Sequence, residues 1–207
     1  MKKSNRNRLW IIALLLVAAP AMAGAAELDR AAATLAGTEA RFVQSFTPKG
    51  FRNSQTESGL VVFGTLPLMR WEYQKPEAKL FVFDGVQSWF YLPEDKQVTV
   101  SKLDEARRRE LPFLVIGDAA ERSRAFDLSE RHEHGMIVAS LQPKAAASMI
   151  RDINITISAS DHTIQKVQYA DREGNKTLFS FSGFRKHPAG PETFRFEPPN
   201  DVQVVQQ

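Results

Sequence analysis

From Ala40 onward hydrophobic positions alternate with polar ones, in short segments. "ARFVQSF", "GLVVFGTLPLMRWEY", "KLFVF", "SWFYL" and "QVTVS" follow one another, separated by turn-forming stretches such as Gln74 to Ala78 and Asp84-Gly85. A period of two sends successive side chains to opposite faces of a sheet, so these segments predict consecutive antiparallel strands. Ahead of them, Glu27 to Leu35 is rich in helix formers, with Leu28 and Leu35 one heptad apart and Gly37 as a stop, which predicts a short amphipathic helix. Leu103 to Ala125 interrupts the strand pattern: a basic "RRRE" precedes Leu111, Phe113, Leu114, Val115 and Ile116, then Gly117, and predicts one or two helices. Strands resume with "DINITIS", "IQKVQYAD" and "KTLFSFSGF", the last two joined by a turn over Asp171 to Asn175, and "TFRFEPPNDVQV" closes the chain. No linker or internal repeat divides the series. The expected fold is α+β, mainly β: one large, curved antiparallel sheet with short helices on one face.

Aromatic residues concentrate in "RWEYQKPEAKLFVFDGVQSWFYLP", Arg70 to Pro93, which holds seven in 24 positions. If Trp71 lies opposite Phe81 across the turn at Pro76, then Met69 lies opposite Phe83, and all four share a face. A two-residue turn at Asp84-Gly85 extends that face to Phe90 and sends Trp89 and Tyr91 behind the sheet, whereas a slip of one residue reverses this step. Such a stripe is ordinarily core. Flexible Met69 and broad rings facing the apolar run Leu111 to Ile116 also suit a lidded pocket for apolar ligands.

Residues 1–23 change the picture of charge and compartment. Lys2, Lys3, Arg6 and Arg8 precede the apolar run "LWIIALLLVAAPAMA", which ends in Ala21-Met22-Ala23, the pattern of a secretory signal peptide cleaved after Ala23, with Ala26 as the second choice. A membrane anchor needs about 20 apolar residues and a charged stop, so the expected product is an exported, soluble single domain over 24–207. Removing the four basic residues takes 27 Lys and Arg down to 23 against 24 Asp and Glu, a charge of about −1. The sequence pI of about 9.2 therefore belongs to the discarded segment and gives no support for nucleic-acid binding. The chain has no cysteine, so its stability rests on a buried core, and it has no site for the lipid that anchors a lipoprotein.

Two polar clusters invite an enzymatic reading. His132-Glu133-His134 offers two imidazoles at strand spacing, but no third ligand cluster accompanies them and "SERHEHG" reads as an exposed hairpin end. Asp161-His162 falls between two strands, where aspartate serves turn geometry, and no serine nucleophile motif goes with it.

"RWEYQKPEAKLFVFDGVQSWFYLPEDKQVTV", "LPFLVIGD", "DREGNKTLFSFSGF" and "FRFEPP", in this order and spacing, resemble the LolA family of periplasmic lipoprotein carriers over about Thr38 to Val205. The resemblance implies an incomplete antiparallel barrel covered by helices and enclosing an apolar cavity for lipoprotein acyl chains, with no cofactor and no catalysis. By the same resemblance Met69 and Trp71 face the cavity, joined by Phe81, Phe83 and Phe90 on the face read above, and Leu111 with Phe113 to Ile116 form its lid. It further implies a monomer that receives acylated lipoproteins from an inner-membrane ABC transporter and passes them to the outer-membrane receptor LolB, which shares the fold but is itself a lipoprotein. The missing cysteine favours the carrier. In the family, an Arg-Pro pair five to six residues before the strand tryptophan latches the lid, and here Thr65 and Leu66 stand at those positions. Related readings on this fold are a carrier of another lipid, such as a glycolipid or polyprenoid, and a sensor domain. The sensors carry a second domain, for which two residues beyond the last expected strand leave no room.

Overall fold

The computed structural model describes residues 26–207, so the signal segment expected at 1–23, with its cleavage site, lies outside them. Helix α1 (Ala26–Leu35) leads into six strands, β1 (Thr38–Thr47), β2 (Gln55–Phe63), β3 (Met69–Lys75), β4 (Lys79–Phe83), β5 (Gln87–Leu92) and β6 (Gln97–Lys102). The longest alternating segment divides into β2 and β3 because Gly64 to Leu68 turns the chain, closed by the Gly64 N–H donating to the Leu68 carbonyl at 2.9 Å. Three helices follow where one or two are expected: α2 (Glu105–Arg109), α3 (Pro112–Gly117) and α4 (Ala119–Ala125). Asp104 and Asp118 accept from the backbone N–H groups of Arg107 and Glu121 and so start α2 and α4, while Pro112 begins α3, where its missing N–H costs nothing.

Strands β7 (Phe126–Glu133) and β8 (Met136–Pro143) precede β9 (Ile150–Ser158), β10 (Ile164–Asp171) and β11 (Lys176–Lys186). The hairpin between β7 and β8 turns at His134 and Gly135, both at positive φ, so "SERHEHG" is a hairpin end with His132 and His134 exposed. The chain's last segment departs from the expected closing strand. Pro191–Phe194 is a turn of 3-10 helix, and only β12 (Gln203–Gln206) pairs, parallel to β6. Pro198 and Pro199 have no N–H to give to a ladder, which keeps the preceding stretch out of the sheet.

All twelve strands form one curved sheet in the order β12-β6-β5-β4-β3-β2-β1-β11-β10-β9-β8-β7, whose edge strands β12 and β7 do not pair with each other. It is therefore an incomplete barrel, antiparallel except at β12. Its inner face, carrying Phe42, Phe63, Trp71, Ile155 and Phe179, forms the main core with Leu28 and Leu35 of α1 and the apolar side chains of α3. Among the described residues no helix is long and apolar enough to cross a membrane.

Candidate functional site

Strand register decides which aromatics meet. Met69 pairs with Phe83 and Trp71 with Phe81, and Phe81 pairs in turn with Phe90, their rings stacked 4.2 Å apart at 16°. The chain from Asp84 to Gln87 links the paired residues Phe83 and Ser88 by four residues, two more than expected. An error of two preserves parity, so Phe90 stays on the inner face while Trp89 and Tyr91 pack against Phe196 behind the sheet. Asp84 builds this connection: Oδ1 accepts from the N–H groups of Val86 at 2.9 Å and Gln87 at 2.7 Å, and Oδ2 from the Trp89 indole at 2.9 Å. Burial pushes its carboxyl up, but the donors from Trp89, Gln87 and Val86 outweigh burial and hold it below the ordinary 3.8.

Helix α3 lies over the inner face, with Phe113 closest to the stripe. Its ring centroid is 4.7 Å from that of Trp71, which also meets Phe42 at 5.1 Å and Phe179 at 5.3 Å. Trp71 is only 4 % exposed. The described residues do not show the enclosed cavity implied by the resemblance: the aromatic rings that would wall it are in contact with one another. What remains is a cleft of about 220 Å³ between Met69, Trp71, Phe81 and Phe83 on the sheet and Leu111, Pro112 and Phe113 above it. Phe90 lies one strand beyond, behind Phe81. Of the expected lid residues, Leu114 and Val115 turn instead to a second hollow of about 410 Å³ with Leu66 and Pro67, and Ile116 is fully buried. A short helix presents side chains in every direction, and those of α3 from Pro112 to Ile116 are all buried.

The latch position expected at Thr65 is exposed and lies in the loop between β2 and β3. Its neighbour Leu66 touches α3 instead: a Cβ added to Gly117 would come within 2.7 Å of Leu66 Cβ. The end of α3 is held by Arg122 of α4, whose guanidinium donates to the Ile116 carbonyl at 2.6 Å and pairs with Asp29 of α1. One buried cation thus joins three helices.

Sequence reasoning misses several residues of this region. Tyr73 follows Met69 and Trp71 by the same alternation and was open to inference. Gln44, Tyr169 and Phe179 also line the cleft, from β1, β10 and β11, and only strand order brings them to it. Nothing in the local pattern marks Arg122. Among the described residues no group of His, Cys, Asp and Glu is arranged to hold a metal ion. Asp161 forms the expected turn, its Oδ1 accepting from the Thr163 N–H at 3.1 Å, with His162 at a φ of 56°.

The profile of the family described as "Outer membrane lipoprotein carrier protein LolA" matches residues 33–197. A relative from Xanthomonas axonopodis pv. citri (strain 306), named outer-membrane lipoprotein carrier protein, is 32% identical over 202 residues, 96% of each chain. One of the same name from Nitrosospira multiformis is 30% identical over 211 residues and the full length of both. Among solved structures, an uncharacterized conserved protein from Thermus thermophilus superposes with a TM-score of 0.54 at 17% identity, covering 88% of this chain and 98% of that one, a likeness of fold alone. The chain belongs to the LolA family of outer-membrane lipoprotein carrier proteins.

Proposed function

We propose that this protein is a periplasmic carrier that holds the acyl chains of lipoproteins between the inner sheet face and α3. It takes them from an inner-membrane ABC transporter and delivers them to an outer-membrane receptor of the LolB kind. The names of its relatives favour lipoprotein cargo over another lipid. The observation that carries the reading is the contact of Phe113 with Trp71 at 4.7 Å, where one short helix closes an aromatic surface. A cleft of about 220 Å³ is smaller than ligand pockets, which begin at about 300 Å³, so a long chain is admitted when α3 lifts Phe113 away. Each methylene buried contributes about 0.8 kcal/mol, enough for useful affinity without a charged contact. Flat rings and flexible Met69 make a surface that adapts to a chain and releases it.

In a chain beginning at Gly24, Trp71 and Trp89 are the only tryptophans, one beside the cleft and one behind the sheet. Titration with an acylated peptide brominated on its chain should quench Trp71 strongly and Trp89 weakly, as assigned with Trp71→Phe and Trp89→Phe. If neither responds while soluble peptide is in excess, the stripe is plain core and the carrier reading fails.

A further inference from the structure

One end of the cleft is polar. Gln44, Tyr73 and Tyr169 line it beside Met69, Trp71 and Phe113. Tyr73 meets the Phe42 ring in a T-shaped contact, centroids 4.8 Å apart, and both pair with Gly59 of β2, where a side chain would strike the Glu72 carbonyl. Its hydroxyl donates to Gln44 Oε1 at 2.6 Å, which engages the amide oxygen and leaves the amide N–H pair free for another acceptor. Burial pushes the phenols of Tyr73 and Tyr169 above their ordinary value, for Tyr169 against a Thr177 hydrogen bond that stabilises the phenolate, so both keep their protons. Glu57 and Lys79, on the same face, pair with each other.

We infer that Gln44 and Tyr169 form a subsite for the carbonyl through which an acyl chain joins its head group. The inference rests on the carrier reading. Gln44 is half-buried at the cleft, within reach of water. A chain that fills the cleft displaces that water, and the amide N–H is then left unsatisfied unless the ligand brings an acceptor. Hydrocarbon has none. An ester or amide carbonyl accepts and does not donate, which complements the groups left over once Tyr73 has bonded to Gln44. The aromatic wall thus binds chain by its apolar area, while the polar end selects chains that carry a carbonyl and sets how deep they sit.

Two ligands separate the ideas: a peptide whose amino-terminal cysteine carries a diacylglycerol thioether, and the same peptide with both esters replaced by ethers. Calorimetric titration should show the ester ligand bound about tenfold tighter than the ether by the wild-type protein, the worth of one hydrogen bond. Gln44→Leu should remove that preference by weakening the ester ligand alone, with thermal unfolding used to establish that the variant is folded. Equal binding of both ligands by the wild type overturns the subsite and leaves the carrier reading standing. Binding of neither overturns both. A preference that survives Gln44→Leu and Tyr169→Phe alike overturns the assignment to these residues.

Discussion

Arg122 is only 2 % exposed, and a charge so placed is tolerated because its donors are engaged by groups from two other helices. A planar guanidinium serves a carbonyl and a carboxylate at once, which an ammonium or an amide does less well. Arg122→Met keeps much of the volume but leaves the terminal carbonyls of α3 without their donor. Stability to urea should fall by about 2–3 kcal/mol, and amide exchange over 112–117 should accelerate. Unchanged exchange would mean that apolar contacts alone hold the helix. Asp84 acts on the other side of the stripe, and its effect depends on pH. A carboxyl held below its ordinary value stabilises the fold above that value and loses this contribution as pH falls through the folded one. Asp84→Ala should therefore cost about 1 kcal/mol at neutral pH, a figure reduced for partial exposure, and its gap to the wild type should close as denaturation is followed below pH 3.8.

At the scale of elements, α3 is the piece whose position decides whether the sheet face is open. It sits between Trp71 on one side and Leu66 on the other, and Gly117 makes the second contact possible. In Gly117→Ala the new methyl would stand 2.7 Å from Leu66 Cβ and closer still to the end of that side chain, so either Leu66 or the end of α3 has to shift. The expected result is a loss of about 1–2 kcal/mol and faster uptake of an acylated peptide in stopped-flow fluorescence. Lower stability with an unaltered rate would exclude α3 as the moving element. The short helices are suited to such movement, since each is too brief to be stable without its packing.

For the whole molecule, the outer face has a smaller core of its own. Val82 and Val98 are fully buried there, away from the helices, and the segment after β11 covers this face by way of Phe194, which is 4 % exposed, and Phe196 against Trp89 and Tyr91. The same segment ends in β12, which occupies the free edge of β6. Phe194→Ala removes a ring lodged against Gly64 and should cost about 3–4 kcal/mol. Its distinguishing readout is spectral: emission of Trp89 should move to longer wavelength as water reaches it, while that of Trp71 stays in place. A shift of both would mean that the two cores do not respond separately.

Alternation is a local property, and much of this protein is legible from it. Strands β1 and β4 to β6, the helix at Glu27 to Leu35 and the shared face of Met69, Trp71, Phe81, Phe83 and Phe90 follow from a period of two or of 3.6, whereas the break between β2 and β3 does not. Even the misjudged turn at Asp84 leaves the faces unchanged, because side-chain direction depends only on parity. Strand β7 is illegible for the opposite reason: as an edge strand it buries little, and its charges resemble those of a loop. Pairing between β1 and β11 joins residues more than a hundred positions apart, and no local pattern records it. That pairing brings Gln44, Phe179 and, one strand further, Tyr169 to the cleft. Packing alone decided that the aromatic rings close on one another around a small cleft, and that Arg122 rather than residue 65 holds the end of α3. Both outcomes depend on which surfaces meet across the fold, and periodicity along the chain specifies faces without specifying their partners.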